Sequence, residues 1–246
     1  MISPARASMQ RKLAALASGE GIASSAAPMP TDGPVATEYA LLLAALSADF
    51  TTLSNTESTE RKIEAKRGMI DRYRPWLEGA MQAQDPVQDE IVGTMAVWSI
   101  DIGDWPLAYD LAAHLLTHGI ALPERYRRKP ATLIAEEVAQ AGLTTPPTID
   151  YEWLAGFDKL TADCDMHDQV RAKLKKAMGL VLVARADSFD PTAENQRAGG
   201  KIALIDAALD NLNRAKALNE GVGVKKLIER LESDRRKLAE APSPQS

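Results

Sequence analysis

From Thr37 onward, apolar residues recur at three- and four-residue spacing almost without interruption, and β-branched residues nowhere alternate with polar ones over a useful length. That pattern predicts an all-α chain with no sheet. The stretch "TEYALLLAALSADFTTL" (37–53) opens it. A long, highly charged helix follows at 58–84, with Ile63, Met69, Ile70, Tyr73, Trp76, Leu77 and Met81 as an irregular stripe and Pro75 placed to kink or break it. Helices at 88–103 and 104–118 come next. In the second, Asp104 can cap, Pro106 suits the first turn and Gly119 can end the helix. "ATLIAEEVAQAG" (131–142) is again a helix closed by glycine, and "TTPPTID" (144–150), with two prolines that forbid helix, is the best internal boundary. Four more helices are expected at 151–163, 167–187, 192–218 and 222–240.

Helices joined by short turns predict stacked helical hairpins. "GDWPLAYDLAAHLL" (103–116) has the small and aromatic spacing of the second half of a tetratricopeptide-like hairpin, and "AALDNLNRAKALNE" (207–220) carries a fainter version. Two imperfect units do not make a repeat array. The first 36 residues differ in kind. No acid precedes Glu20, whereas Arg6, Arg11 and Lys12 do, and "GEGIASSAAPMPTDGPVA" (19–36) has little to bury. The expected organisation is a disordered basic N-terminal arm with its linker over 1–36, a helical domain over 37–143, a C-terminal helical hairpin region over 149–240 and a disordered tail, "APSPQS", over 241–246.

Composition changes this picture little: 246 residues, 45% hydrophobic and 26% charged, suffice for one large domain or two small ones with a proper core. The longest apolar run, "LVLVA", is far short of the roughly 18–20 residues that cross a bilayer, so no membrane partner is expected. The single cysteine, Cys164, rules out an intramolecular disulfide and a Cys-rich zinc site, and a reducing cytosol is the simplest setting. A net charge of −5 opposes attraction of the whole chain to nucleic acid, so DNA contact has to come from a local basic patch or from several copies acting together.

Four features carry candidate chemistry. Asp110, His114 and His118 fall four apart, which on a helix puts a carboxylate and two imidazoles in one row. As a metal site the row needs a further ligand, for which Asp101, Asp104 and Glu137 are the suggestions; as structure it is packing near a helix C-terminus, where a cation is mildly favoured. "DCDMHDQV" (163–170) crowds Asp163, Asp165, His167 and Asp168 together, which suits either a hard divalent ion or the cap and first turn of the next helix. "PERYRRKP" (123–130) gathers Arg125, Arg127, Arg128 and Lys129 around Tyr126, either as an anion-binding patch or as a solvated loop. The final helix sets Val224, Leu227, Ile228, Leu231 and Leu238 on one face, to dock on its own core or on a partner. No GxxxxGK[ST], GxGxxG after a strand, HExxH or GxSxG is present.

Three separated blocks, "GDWPLAYDLAAHLLTHGIALPERYRR", "DMHDQVRAKLKKAMG" and "ALNEGVGVKKLIERLE", resemble in that order the small terminase subunit of peduovirus-type temperate phages and related prophages, over about residues 37–238. The resemblance implies DNA packaging in the cytoplasm of a bacterial host. A subunit of that kind works with a large ATPase subunit to recognise the cohesive-end site of concatemeric phage DNA, to cut it and to feed it into a procapsid. The family is conventionally assigned the endonuclease activity, which would use Mg²⁺ and clustered carboxylates, here Asp110 with His114 and His118, or Asp163, Asp165 and Asp168. By analogy with small terminases of other phages, copies form a homo-oligomeric ring. DNA would then meet Arg6, Arg11 and Lys12 of the arm together with Arg125, Arg127, Arg128 and Lys129, and the C-terminal helices would meet the large subunit. The two rival expectations are a metal-dependent endonuclease that cuts the site by itself and a tetratricopeptide-like protein-interaction scaffold.

Overall fold

The computed structural model describes residues 26–190 and 200–240. The arm with Arg6, Arg11 and Lys12, the expected helix start at 192–199 and the tail 241–246 lie outside them. Among the described residues there are ten α-helices and no strand: α1 (Gly33–Ser54), α2 (Thr59–Met69), α3 (Arg74–Gln82), α4 (Glu90–Ile102), α5 (Trp105–His118), α6 (Pro130–Gly142), α7 (Tyr151–Leu160), α8 (Asp168–Asp187), α9 (Gly200–Leu218) and α10 (Lys225–Glu240). The all-α expectation is met. The charged helix expected over 58–84 is broken as Pro75 requires, α2 passing through a 3-10 turn at Ile70–Tyr73 into α3, where Pro75 sits in the first turn. The local signals around α5 hold as well: the Asp104 carboxylate accepts from the Leu107 N–H, and Gly119 ends the helix at φ 61°.

Two compact units divide the chain, one running to Ile134 and one from Ala135. The division falls inside α6, ahead of the proline turn at 144–150. Gly142, at the end of α6, explains why: a Cβ there would come within 2.9 Å of Ala177 and 3.1 Å of Leu154, so α6 closes on α7 and α8 across the turn.

The first unit is built around α4. Every residue from Ile91 to Ile100 is buried, which is the mark of a helix surrounded on all sides. Trp98 is its largest buried side chain, met edge-on by Phe50 of α1 at 5.5 Å and by Tyr73 at 6.4 Å. Asp89 caps α4 from a buried position, accepting from the Ile91 and Val92 N–H groups and from Trp76 Nε1 at 2.7 Å. Burial holds its carboxyl above the usual range, against the pull of these bonds.

The first described helix starts before Thr37. Pro34 lies in the first turn of α1, where its missing N–H costs nothing, and α1 therefore starts at Gly33. Before it, the Ala26 N–H donates to the His118 carbonyl at 2.8 Å and the Gln88 N–H donates to the Ala27 carbonyl at 2.7 Å. Ala26 and Ala27 are thus strapped to this unit by backbone bonds.

In the second unit α8 and α9 form the main hairpin. Gly179 permits their close crossing, since a Cβ there would sit 2.6 Å from Leu212 Cγ. The final helix docks on its own core rather than standing free: Val224, Ile228 and Leu231 are buried among Leu182, Leu204, Ile205 and Leu212, with Leu227 and Leu238 packed at the edge. Arg235 is paired with Asp206 across α9 and α10.

Candidate nucleic-acid interface

In residues 26–134 every lysine and arginine falls in one of two stretches, 61–74 or 125–129. Most of the first stretch is spent on structure. Lys66 Nζ lies 2.5 Å from Asp101 and 5.9 Å from the centre of the Trp98 ring, and the Arg67 guanidinium donates to the Ile102 carbonyl at 3.2 Å. These contacts fasten α2 to the C-terminal end of α4. Arg72 pairs with buried Asp49, which also accepts from the Tyr73 hydroxyl at 2.6 Å, and Arg74 bridges Asp71 and Asp104. Arg61 and Lys62 have no carboxylate partner among the described residues.

The second stretch is carried by a 3-10 turn, Glu124–Tyr126, which Arg127 closes in the left-handed region at φ 48°. Gly93 sets how near this loop comes. A Cβ at Gly93 would lie 2.9 Å from Pro123 Cδ and 3.4 Å from the Ala121 carbonyl, so only a glycine lets the loop lie against α4 at this distance. The approach lays the Arg125 guanidinium over the Phe50 ring, 3.3 Å from its centre. Arg125, Arg127, Arg128 and Lys129 are all exposed. Arg125 and Arg127 have no carboxylate partner among the described residues, whereas Arg128 and Lys129 make further contacts.

Between α2 and this loop lies an open cleft of about 390 Å³, lined by Phe50, Lys62, Lys66, Trp98, Asp101, Arg125 and Tyr126. Its one acid is held by Lys66, which leaves Lys62 and Arg125 as uncompensated cations. Burial, reinforced by Asp101, pushes the Tyr126 hydroxyl well above its ordinary value, so it is a neutral donor at any working pH. Cations without counter-charges beside a neutral phenol suit a phosphate-bearing partner. Arg125 was legible as a candidate from the sequence. Lys62 and Arg61 were not, because on a charged helix they read as a solvated face, and Lys62 shares its face with Lys66, so the spacing in "RKIEAKR" does not tell the free cations from the paired ones.

The other candidates are not gathered in this way. Among the described residues no group of three or more His, Cys, Asp or Glu side chains is placed to hold a metal ion. The His114 and His118 rings lie 4.8 Å apart, and burial followed by the neighbouring His118 holds His114 below the ordinary imidazole value. Asp110 stands on the same helix without completing a ligand set with them. Asp163, Asp165 and Asp168 are exposed in the turn that leads into α8. The expected aspartate cap of that helix is corrected: His167 occupies the N-cap without a side-chain bond, and Asp168 sits in the first turn, where the helix dipole favours an acid. Arg171 secures the turn instead, donating to the Thr161 and Cys164 carbonyls at 3.1 and 2.9 Å.

Comparison with known proteins decides the family. Residues 43–169 match the model of the phage small terminase subunit, about half the chain. Over its full length the chain is 36% identical to the terminase, endonuclease subunit of Escherichia phage P2, covering 89% of that protein. The chain belongs to the phage small terminase subunit family. It is also 26% identical over 234 residues to the probable terminase, endonuclease subunit of Haemophilus phage HP1, spanning 90% of this chain and 79% of that one. No solved structure matches. The terminase family match takes in Phe50, α2, α4 and the Arg125 loop, and so contains every residue that lines the cleft.

Proposed function

We propose that this chain acts in phage DNA packaging as the site-recognition subunit, binding the cohesive-end region of concatemeric DNA and working with the large ATPase subunit. Membership of the small terminase family puts it in DNA packaging and favours that role over a general scaffold. The observation that carries the DNA surface is charge segregation: in 26–134 the cations are confined to two stretches, and those left without carboxylate partners, Arg61, Lys62, Arg125 and Arg127, come from both of them. Arg128 and Lys129 extend this surface, and the arm cations Arg6, Arg11 and Lys12, outside the described residues, add positive charge for DNA to meet. A chain of net charge −5 gains most from presenting several copies of such a patch along one DNA path, which a homo-oligomeric ring in the host cytoplasm provides.

A second reading follows from the P2 relative, which is named an endonuclease subunit. Cutting here would need Mg²⁺ held by carboxylates such as Asp163, Asp165 and Asp168, or by Asp110 with the two histidines, and neither set is gathered into a ligand cluster among the described residues. Site recognition is therefore placed ahead of catalysis. Purified full-length protein mixed with a cohesive-end fragment, with and without Mg²⁺, tests the order. Binding without cutting is the expected result; Mg²⁺-dependent cutting by the protein alone would reverse it.

A further inference from the structure

The cleft between α2 and the Arg125 loop holds more than phosphate contacts require. A duplex backbone is met by exposed cations on a surface, and Arg61 and Arg127 already supply those. The cleft adds aromatic groups: Phe50 beneath the Arg125 guanidinium and Tyr126 beside it, with the buried Trp98 only flooring the hollow next to Lys62 and Lys66. At 3.3 Å from the ring centre the Arg125 guanidinium is in contact with the phenyl face, and Arg125 is exposed, so the face it turns away from Phe50 can serve as a stacking platform. Such platforms recognise flat rings. A base inside a duplex has both faces covered by its neighbours, whereas an unpaired base offers a free face to an arginine or an aromatic side chain.

We infer that this cleft takes an unpaired nucleotide of a single-stranded DNA segment, with its base stacked on the outer face of the Arg125 guanidinium and its phosphate against Lys62. The inference rests on the DNA-binding reading above and narrows it to the form of DNA held at this point. An acidic peptide would use the two uncompensated cations but would have no use for the Arg125–Phe50 stack. The cleft, of about 390 Å³, is open to solvent, so a strand can continue out of it on either side of the held nucleotide.

Arg125→Lys keeps the charge and removes the planar stacking group, so it separates the two kinds of contact. Fluorescence anisotropy of the full-length protein would follow labelled oligo-dT and a duplex of equal length. Loss of one stacked base is expected to lower single-strand affinity about 5- to 150-fold, and to lower the ratio of single-strand to duplex affinity at least fivefold. Phe50→Leu, checked for folding by circular dichroism, is expected to act in the same direction. An oligonucleotide carrying 5-iododeoxyuridine should cross-link to Tyr126, which lines the cleft beside Arg125. Equal losses on both DNAs, or cross-links only outside the cleft, would overturn the inference while leaving duplex binding intact. Capture of an acidic peptide that oligo-dT fails to displace would overturn it as well. If the unaltered protein binds neither DNA, the DNA-binding reading itself falls.

Discussion

Neutralising Arg61, Lys62, Arg125 and Arg127 together, each to Gln, tests whether unpaired cations rather than total charge hold DNA. None of the four has a carboxylate partner among the described residues, so each is free to displace a counterion from a phosphate. With a slope contribution of about 0.9 per phosphate contact on duplex DNA, the variant's plot of log affinity against log salt should be shallower by about 3.6 per bound chain. Between 50 and 200 mM salt that difference amounts to about 150-fold in how far affinity declines. The control is Arg74→Gln. Arg74 is occupied by Asp71 and Asp104 at 2.8 and 3.2 Å, and its guanidinium is stabilised first by its bond to Asp71, so removing it should leave the slope within error of the unaltered protein. Titrations of fluorescein-labelled duplex at five salt concentrations read both values. An unchanged slope in the fourfold variant, or an equal decrease in the control, would refute the reasoning.

Four further outcomes follow from the packing. Gly179→Ala gains about 1 kcal/mol of helix propensity, but its Cβ would meet Leu212 at 2.6 Å, and overpacking of about 1–3 kcal/mol outweighs it; urea melts should show a net loss, and adding Leu212→Ala should cost less than the separate losses sum to. Asp89→Ala removes the α4 cap and orphans Trp76 Nε1, for a loss of about 3 kcal/mol, while Asp89→Asn should recover the cap and not the Trp76 bond. His114 has a folded-state pKa below its ordinary 6.5, so as pH falls through 6.5 the unfolded chain takes up a proton that the folded one refuses; thermal stability should fall from that point down to the folded pKa, and His114→Gln should flatten the fall. Gly93→Ala should displace the loop that carries Arg125 and weaken oligonucleotide binding several-fold, with far-UV circular dichroism unchanged.

What could be read in advance was what neighbouring residues decide among themselves. Asp104, Pro106 and Gly119 set the ends of α5 through bonds that span a few residues, and the break at Pro75 follows from one missing N–H. The start of α1 was hidden because "TDGPVA" has linker composition, although Pro34 is at home in a first helical turn. The strap at Ala26 and Ala27 had no signature at all, since its bonds are backbone to backbone and reach to residues 88 and 118. The same limit applies to the site. Arg125 stood out as one of four cations in five residues, but Lys62 gains its meaning only from the approach of α2 to the far end of α4, which is a property of the packed unit.

Lys62 and Lys66 also show why net charge is a poor guide to this surface. At 0.1 M salt, charges more than about 10 Å apart are largely screened from one another, so acids elsewhere on a chain of charge −5 do little to a phosphate at the cleft. The acid that matters is Asp101, inside the cleft, and Lys66 neutralises it. One turn of helix thus separates a lysine that holds α2 in place from a lysine left open to a ligand. Removing Asp101 would free a third cation in the cleft, Lys66, yet it would also release the contact that keeps Lys62 beside Arg125. The cleft therefore depends on an acidic residue for its basic character, and a count of charges along the sequence cannot express that dependence.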